Sequence, residues 1–211
     1  MITFSSSRFG SGLGRTLAVL SMLLLVVPLA GCGVNNIPTY ENSAKAAWSE
    51  VLNQYKRRAD LIPNLVESVK GFAEQERKVL TDVVEARAKA TSIQVPADIL
   101  TNPEAMKTFQ DAQNTLGGAL RQLLAVVERY PDIKSGQNFL ALQQQIEGTE
   151  NRIAIARRDY IQQVRVYNTE LVTIPGRWWK AFMYPSYKEM ASFDIPADEI
   201  KTPKVDFGTK N

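Results

Sequence analysis

The chain has 211 residues, 45% of them hydrophobic and 22% charged, which is apolar material for one well-filled core and excludes disorder throughout. The formal charge is +3, but Arg8 and Arg15 precede Cys32, so the remainder carries 23 basic against 22 acidic residues and gives no electrostatic reason to bind nucleic acid. Histidine is absent and cysteine occurs once, which removes imidazole chemistry, thiolate metal sites and intrachain disulfides.

The first sixteen residues hold Arg8 and Arg15 and no acid, and Leu17 to Ala30 follow as an apolar run interrupted only by Ser21. This is the layout of a secretory signal peptide, short of the roughly twenty residues of a transmembrane helix. The run ends Leu29-Ala30-Gly31-Cys32, which resembles the lipobox of bacterial lipoproteins. That resemblance implies cleavage between Gly31 and Cys32, a diacylglycerol on the Cys32 thiol and a further acyl chain such as palmitate on its new amino group. Two or three chains anchor stably where one is marginal. The alternative is a signal anchor that is never cut. The expected organisation is a signal peptide over 1–31, a lipidated cysteine and linker over 32–39, a bundle over 40–193 and a flexible polar tail over 194–211.

From Ala44 a 4,3 spacing runs through Trp48, Val51, Tyr55, Arg58, Ile62, Leu65, Val69, Phe72, Glu76, Val79, Val83 and Ala86 to Ala90, with Arg58 and Glu76 its only polar members. A heptad held this long predicts one helix of roughly 70 Å with a single buried seam. Pro63 removes the hydrogen bond to the Ala59 carbonyl and predicts a kink, and Gly71 is a second weak point. Residues 91–103 read as a connection, and Asn102-Pro103 as an N-cap followed by proline at the first helical position.

A second seam comprises Met106, Phe109, Gln113, Leu116, Leu120, Leu123, Val127 and Tyr130, widened by Ala105, Ala112, Ala119 and Val126. A third runs from Phe139 through Leu142, Ile146, Thr149, Ile153, Ala156, Tyr160, Val164, Tyr167 and Leu171 to Ile174, where Pro175 and Gly176 stop it. Trp178, Trp179, Phe182 and Tyr184 then form an aromatic patch, with a short helix expected around Ser186 to Ala191. The fold class is an all-α, elongated antiparallel bundle with one very long kinked N-terminal helix and a short C-terminal one. In an up, down, up order the aromatic patch lies far from the anchoring membrane. The patch either caps the bundle or is an exposed contact for a partner or a bilayer, and its distance from the anchor favours a partner protein over the protein's own membrane.

Trp48 with the block Lys56 to Glu67, then Val69-Lys70-Gly71-Phe72-Ala73, Tyr130-Pro131, Phe139, Leu142, Glu150-Asn151-Arg152-Ile153, Arg157, Tyr160, Val164 and Tyr167-Asn168 resemble the LemA family, which includes magnetosome-associated relatives. The resemblance spans about Tyr40 to Phe193. It implies a membrane-attached helical bundle of the cell envelope with no established enzymatic activity. Many members keep a transmembrane helix where this chain has a lipobox.

Glu67, Glu76, Glu147, Glu150 and Asp159 are spaced as possible metal-holding carboxylates, but the Glu-x-x-His pairs of di-iron bundles are impossible here, and solvated or paired acids are the simpler account. No cofactor is expected. Arg58 and Glu76 sit in the seam, where charge is costly unless paired. They either snorkel at the bundle edge or pair with groups such as Glu150 or Arg157 and set register. Lys56-Arg57-Arg58 reads as a solvated helix face. The expected role is a membrane-anchored, non-catalytic scaffold or adaptor of the cell envelope. An accessory of an envelope protease or repair system, a self-assembling membrane-shaping protein and an enzyme using carboxylates are the alternatives. The expected partners are the bilayer through Cys32, envelope proteins and further copies of the chain. Gly33 after the cysteine, by resemblance to lipoprotein sorting, places the chain on the periplasmic face of the outer membrane, or on the outer face of the cell membrane where there is only one.

Overall fold

A computed structural model of the protein describes residues 33–72, 74–93 and 96–193. The segment expected as signal peptide, Cys32 and the tail over 194–211 lie outside the described residues, which are helical with no strand. Helix α1 spans Asn36–Ser68, α2 Arg77–Ser92, α3 Pro103–Val127, α4 Pro131–Lys134, α5 Gln137–Val172 and α6 Gly176–Phe182. Short 3-10 turns cover Lys70–Phe72 and Ile99–Thr101. Helix α1 already begins at Asn36, so residues 36–39, expected as linker, belong to the rod.

The 70 Å helix expected from the heptad does not form. Helix α1 continues through Pro63 and ends at Ser68, after about 50 Å. The chain then reverses over 69–76, because Arg87 Nε of α2 donates to the Ala59 carbonyl of α1 at 2.8 Å, and a continuing helix would put those residues some 40 Å apart. The same bond answers Pro63, which has no N–H to offer the Ala59 carbonyl one turn back. An arginine from the returning helix takes the missing donor's place.

Two more passes follow the same logic. Asn102 caps α3, its side chain accepting from Ala105 N at 3.1 Å with Pro103 at the first helical position. Gln113 Nε2 donates to the Ala90 carbonyl at 3.4 Å, and Arg129 just after α3 reaches Glu76 just before α2, so the two helices are antiparallel. Helix α5 returns along the whole of α1, from Arg58 opposite Glu150 to Asn36 opposite Glu170. The distal half is therefore a four-helix, up-down-up-down bundle. The proximal half has α1 and α5 only, and is completed by the start of α3 and by an extended strap over 185–193.

The seam positions fill two cores. One holds Ile37, Trp48, Val51, Tyr55, Met106, Phe109, Tyr160, Tyr167, Met190 and Phe193. The other holds Ile62, Leu65, Val79, Val83, Leu116, Leu120, Leu123, Phe139 and Ile146. Residues 186–191, expected as a short helix, are instead the extended strap. It is held along α5 by Tyr167 Oη to the Lys188 carbonyl (2.9 Å), Tyr160 Oη to the Ala191 carbonyl (2.7 Å) and a paired bond between Asn168 and Met190 (2.9 Å each). These bonds occupy backbone groups that no helix satisfies.

Candidate functional site at the base of the bundle

The four passes return the chain to its starting end. Gly33 adopts φ +92°, a left-handed conformation open to glycine, and its carbonyl accepts from Asn36 N at 3.0 Å as α1 starts. Asn36 Nδ2 donates to Glu170 Oε1 at 3.2 Å across to the last turn of α5. The chain then turns at a cis Ile174-Pro175 peptide into α6. A Cβ on Gly176 would lie 2.1 Å from the Glu170 carbonyl, so only glycine fits this corner.

This overturns the expectation that the aromatic patch lies at the far end. Three helical passes would have put it there, but the hairpin at 69–76 adds a fourth. Residues 174–184 therefore sit beside Gly33, the residue that follows Cys32. The two readings of the patch divide by residue. Trp179 and Tyr184 are half-buried against the proximal core, and Tyr184 meets Tyr187 edge-on at 5.3 Å. Trp178 and Phe182, one turn apart on α6, face outward at 55% and 82% exposure. Ile174 and Met183 are exposed beside them.

Between the two cores lies a polar layer. Arg58 is 3% exposed, the most buried charge among the described residues. Its Nη1 donates to Glu150 Oε1 at 2.8 Å, and its Nη2 to the Gln113 carbonyl at 3.0 Å and Gln113 Oε1 at 2.8 Å. The guanidinium also lies 5.1 Å from the Tyr55 ring centre. With Gln113 reaching Ala90, the layer touches α1, α2, α3 and α5 at one level. The solvated face expected for Lys56-Arg57-Arg58 thus holds only for the first two, Lys56 pairing outside with Asp60 at 3.1 Å.

Glu76 is no member of a continuous seam. It precedes α2 at the distal tip, where it accepts from Arg129 Nη2 at 2.6 Å and Tyr130 Oη at 3.2 Å. Arg157 lies over the Phe193 ring at 4.6 Å. The spaced carboxylates do not converge: Glu67 pairs with Lys70, Glu147 accepts from Gln143, Glu150 serves Arg58 and Asp159 is exposed. Among the described residues no three histidine, cysteine or acidic groups come together as a metal site, and no helix is long and apolar enough to cross a membrane.

Sequence reading missed the strap and its clamps. Tyr160 and Tyr167 gave a signal, since each carries a polar tip at a seam position that apolar packing alone does not need; Asn168, beside the seam, gave none. Burial raises both tyrosine hydroxyls well above the usual phenol range, with the Glu41 charge adding to the rise at Tyr167.

A hairpin-built helical bundle, tied by one buried arginine layer and closed at its chain-entrance end by an aromatic corner, is the class of protein these features define. The chain belongs to the LemA family, whose model matches residues 47–207. It is similar to magnetosome protein MamQ 2 of Paramagnetospirillum magneticum, with 26% identity over 189 residues, 81% of this chain and 70% of that protein. Magnetosome protein MamQ of Magnetospirillum gryphiswaldense is 24% identical over 222 residues, 95% of this chain and 81% of that one. Protein LemA of Metamycoplasma hominis is 25% identical over 139 residues, 66% and 59% of the two chains.

Proposed function

We propose that the protein is a membrane-tethered, non-catalytic helical scaffold of the bacterial cell envelope, held at Cys32 and offering its distal surface to other envelope proteins. The observation that carries this reading is the rigid start of the rod. Gly33 turns directly into α1, and Asn36 is tied to Glu170, so nothing loose separates the tether from a helix about 50 Å long. A rigid rod on a short tether gives its distal surface a set reach from the anchor, which is what a scaffold needs and a diffusing enzyme does not. The resemblance of Leu29-Ala30-Gly31-Cys32 to a lipobox supports the lipid tether, and family membership supports the membrane setting.

Two experiments test it. Cells fed a labelled fatty acid should label the wild type and not Cys32→Ser, which should be released or mislocalised; continued labelling of the variant overturns the anchor. A photo-crosslinking residue in place of exposed Val84, near the distal tip, should give a discrete protein adduct in intact cells. An envelope protease or repair enzyme in that adduct would make the scaffold its accessory. A second copy of the chain would make it a self-assembling, membrane-shaping one, and no adduct from any distal position overturns the scaffold reading.

A further inference from the structure

Among the described residues, exposed large hydrophobic side chains gather in one place. Val84, Leu140, Ile155 and Ile161 are scattered along the rod, whereas Val172, Ile174, Trp178, Phe182 and Met183 stand together at the base, each more than half exposed. A clustered apolar patch needs a cover where single exposed residues do not.

Three observations say what covers it. Gly33 lies at the same corner, its position for a Cβ only 3.6 Å from Pro175 Cγ, and the chain before it carries the apolar run Leu17 to Ala30 and Cys32. Whatever that segment anchors to begins at this end of the rod. From Val172 to Pro185 the chain has no acid and two cations, Arg177 and Lys180, which flank a groove formed with Leu171, Val172, Ala181 and Pro185. Apolar side chains rimmed by cations match acyl chains beneath anionic headgroups. The strap itself runs up the rod from the patch, because Phe193 packs on Tyr160, about 17 Å up α5 from Leu171.

We propose that this corner is a second membrane contact: Ile174, Trp178, Phe182 and Met183 sink into the interfacial region of the bilayer that holds the chain, while Arg177 and Lys180 meet its anionic headgroups. Tryptophan favours that depth, and the cationic side chains extend to headgroup level along their own apolar stems. The inference rests on the membrane attachment proposed above. It adds an orientation, since a tether and a seated corner together fix the angle of the rod, where a tether alone lets it swing.

The test uses the full chain reconstituted into vesicles of equal parts phosphatidylglycerol and phosphatidylethanolamine, with lipids brominated near the headgroup end of the acyl chain. Trp48 is buried and Trp179 half-buried, so the difference between wild type and Trp178→Phe isolates the Trp178 emission. The expected result is a blue-shifted Trp178 signal, quenched by brominated lipid and inaccessible to iodide. Phe182→Asp, on the same exposed face, should restore iodide access without changing the far-UV circular dichroism. Failure of the wild type to float with vesicles overturns the attachment, and the corner contact with it. Flotation with Trp178 still open to iodide overturns the corner contact alone. Protection that appears in native membranes and not in protein-free vesicles also overturns it, by showing that a protein covers the patch.

Discussion

Replacing Arg58 with methionine should destabilise the bundle by about 2–3 kcal/mol. The guanidinium makes three hydrogen bonds, to Glu150 Oε1 and to two oxygens of Gln113, a residue only 6% exposed. Breaking a buried ion pair from one side costs about 3–5 kcal/mol when the partner charge stays buried. The Glu150 side chain is 44% exposed, however, and can rehydrate, which removes much of that cost. The Gln113 oxygens cannot, and an unmet buried acceptor costs about 1–3 kcal/mol. Methionine restores some apolar packing but offers no donor. A loss of about 2–3 kcal/mol corresponds to a fall in Tm of roughly 4–12 °C for a domain this size. Urea unfolding of the full chain in mild detergent, followed by circular dichroism, measures it. Arg58→Lys should recover part of the loss, because one ammonium cannot serve three acceptors in the planar fork geometry. Replacing Arg58, Gln113 and Glu150 together with apolar residues should recover part of it, because the Gln113 side-chain oxygen and the Glu150 carboxylate go with the guanidinium, while the backbone carbonyls of Gln113 and Ala90 still lose a donor. Single and triple variants of equal stability would refute the reasoning.

Arg87→Met should cost about 1–2 kcal/mol by leaving the Ala59 carbonyl without a donor, and the cost should shrink in a Pro63→Ala background, where the helix supplies its own N–H; a double-mutant cycle on urea midpoints reads the coupling. Gly176→Ala should destabilise by at least about 1–3 kcal/mol, since its Cβ would meet the Glu170 backbone oxygen, and proteolysis should then cut first near residues 174–184. The raised Tyr160 and Tyr167 hydroxyls give a pH dependence with a definite sign. Folding holds both neutral, so their contribution is complete below the ordinary phenol value of 10.0 and is lost as pH rises above it, when the unfolded chain ionises first. Phenolate absorbance should therefore rise together with loss of helix, and Tyr160→Phe should flatten the alkaline decline in stability while lowering stability at neutral pH through the unmet Ala191 carbonyl.

The residues read from periodicity as inward-facing are largely the buried ones, from Ala44 to Ala90 and from Met106 to Val127, and Asn102 caps the helix it was expected to start. These properties are local: side-chain size, spacing and capping chemistry act within a turn or two of helix, and the chain states them directly. Direction is different. A 4,3 pattern reports which face is buried and not where the axis points, so a hairpin whose turn preserves the phase, as 69–76 does between Val69 and Val79, reads the same as a straight helix. Arg87 against Ala59 settles that the chain turns back, through a contact between residues far apart in sequence. Arg58 was legible as a costly charge in a seam, but its three acceptors come from two other helices, whose alignment depends on the completed bundle. Sequence alone thus determined an all-helical chain with its buried faces and an apolar run, Leu17 to Ala30, shortly before Cys32. Only the tertiary structure decided that an even number of passes returns the aromatic corner to Gly33, because the end of a bundle at which a segment lies depends on how often the chain reverses.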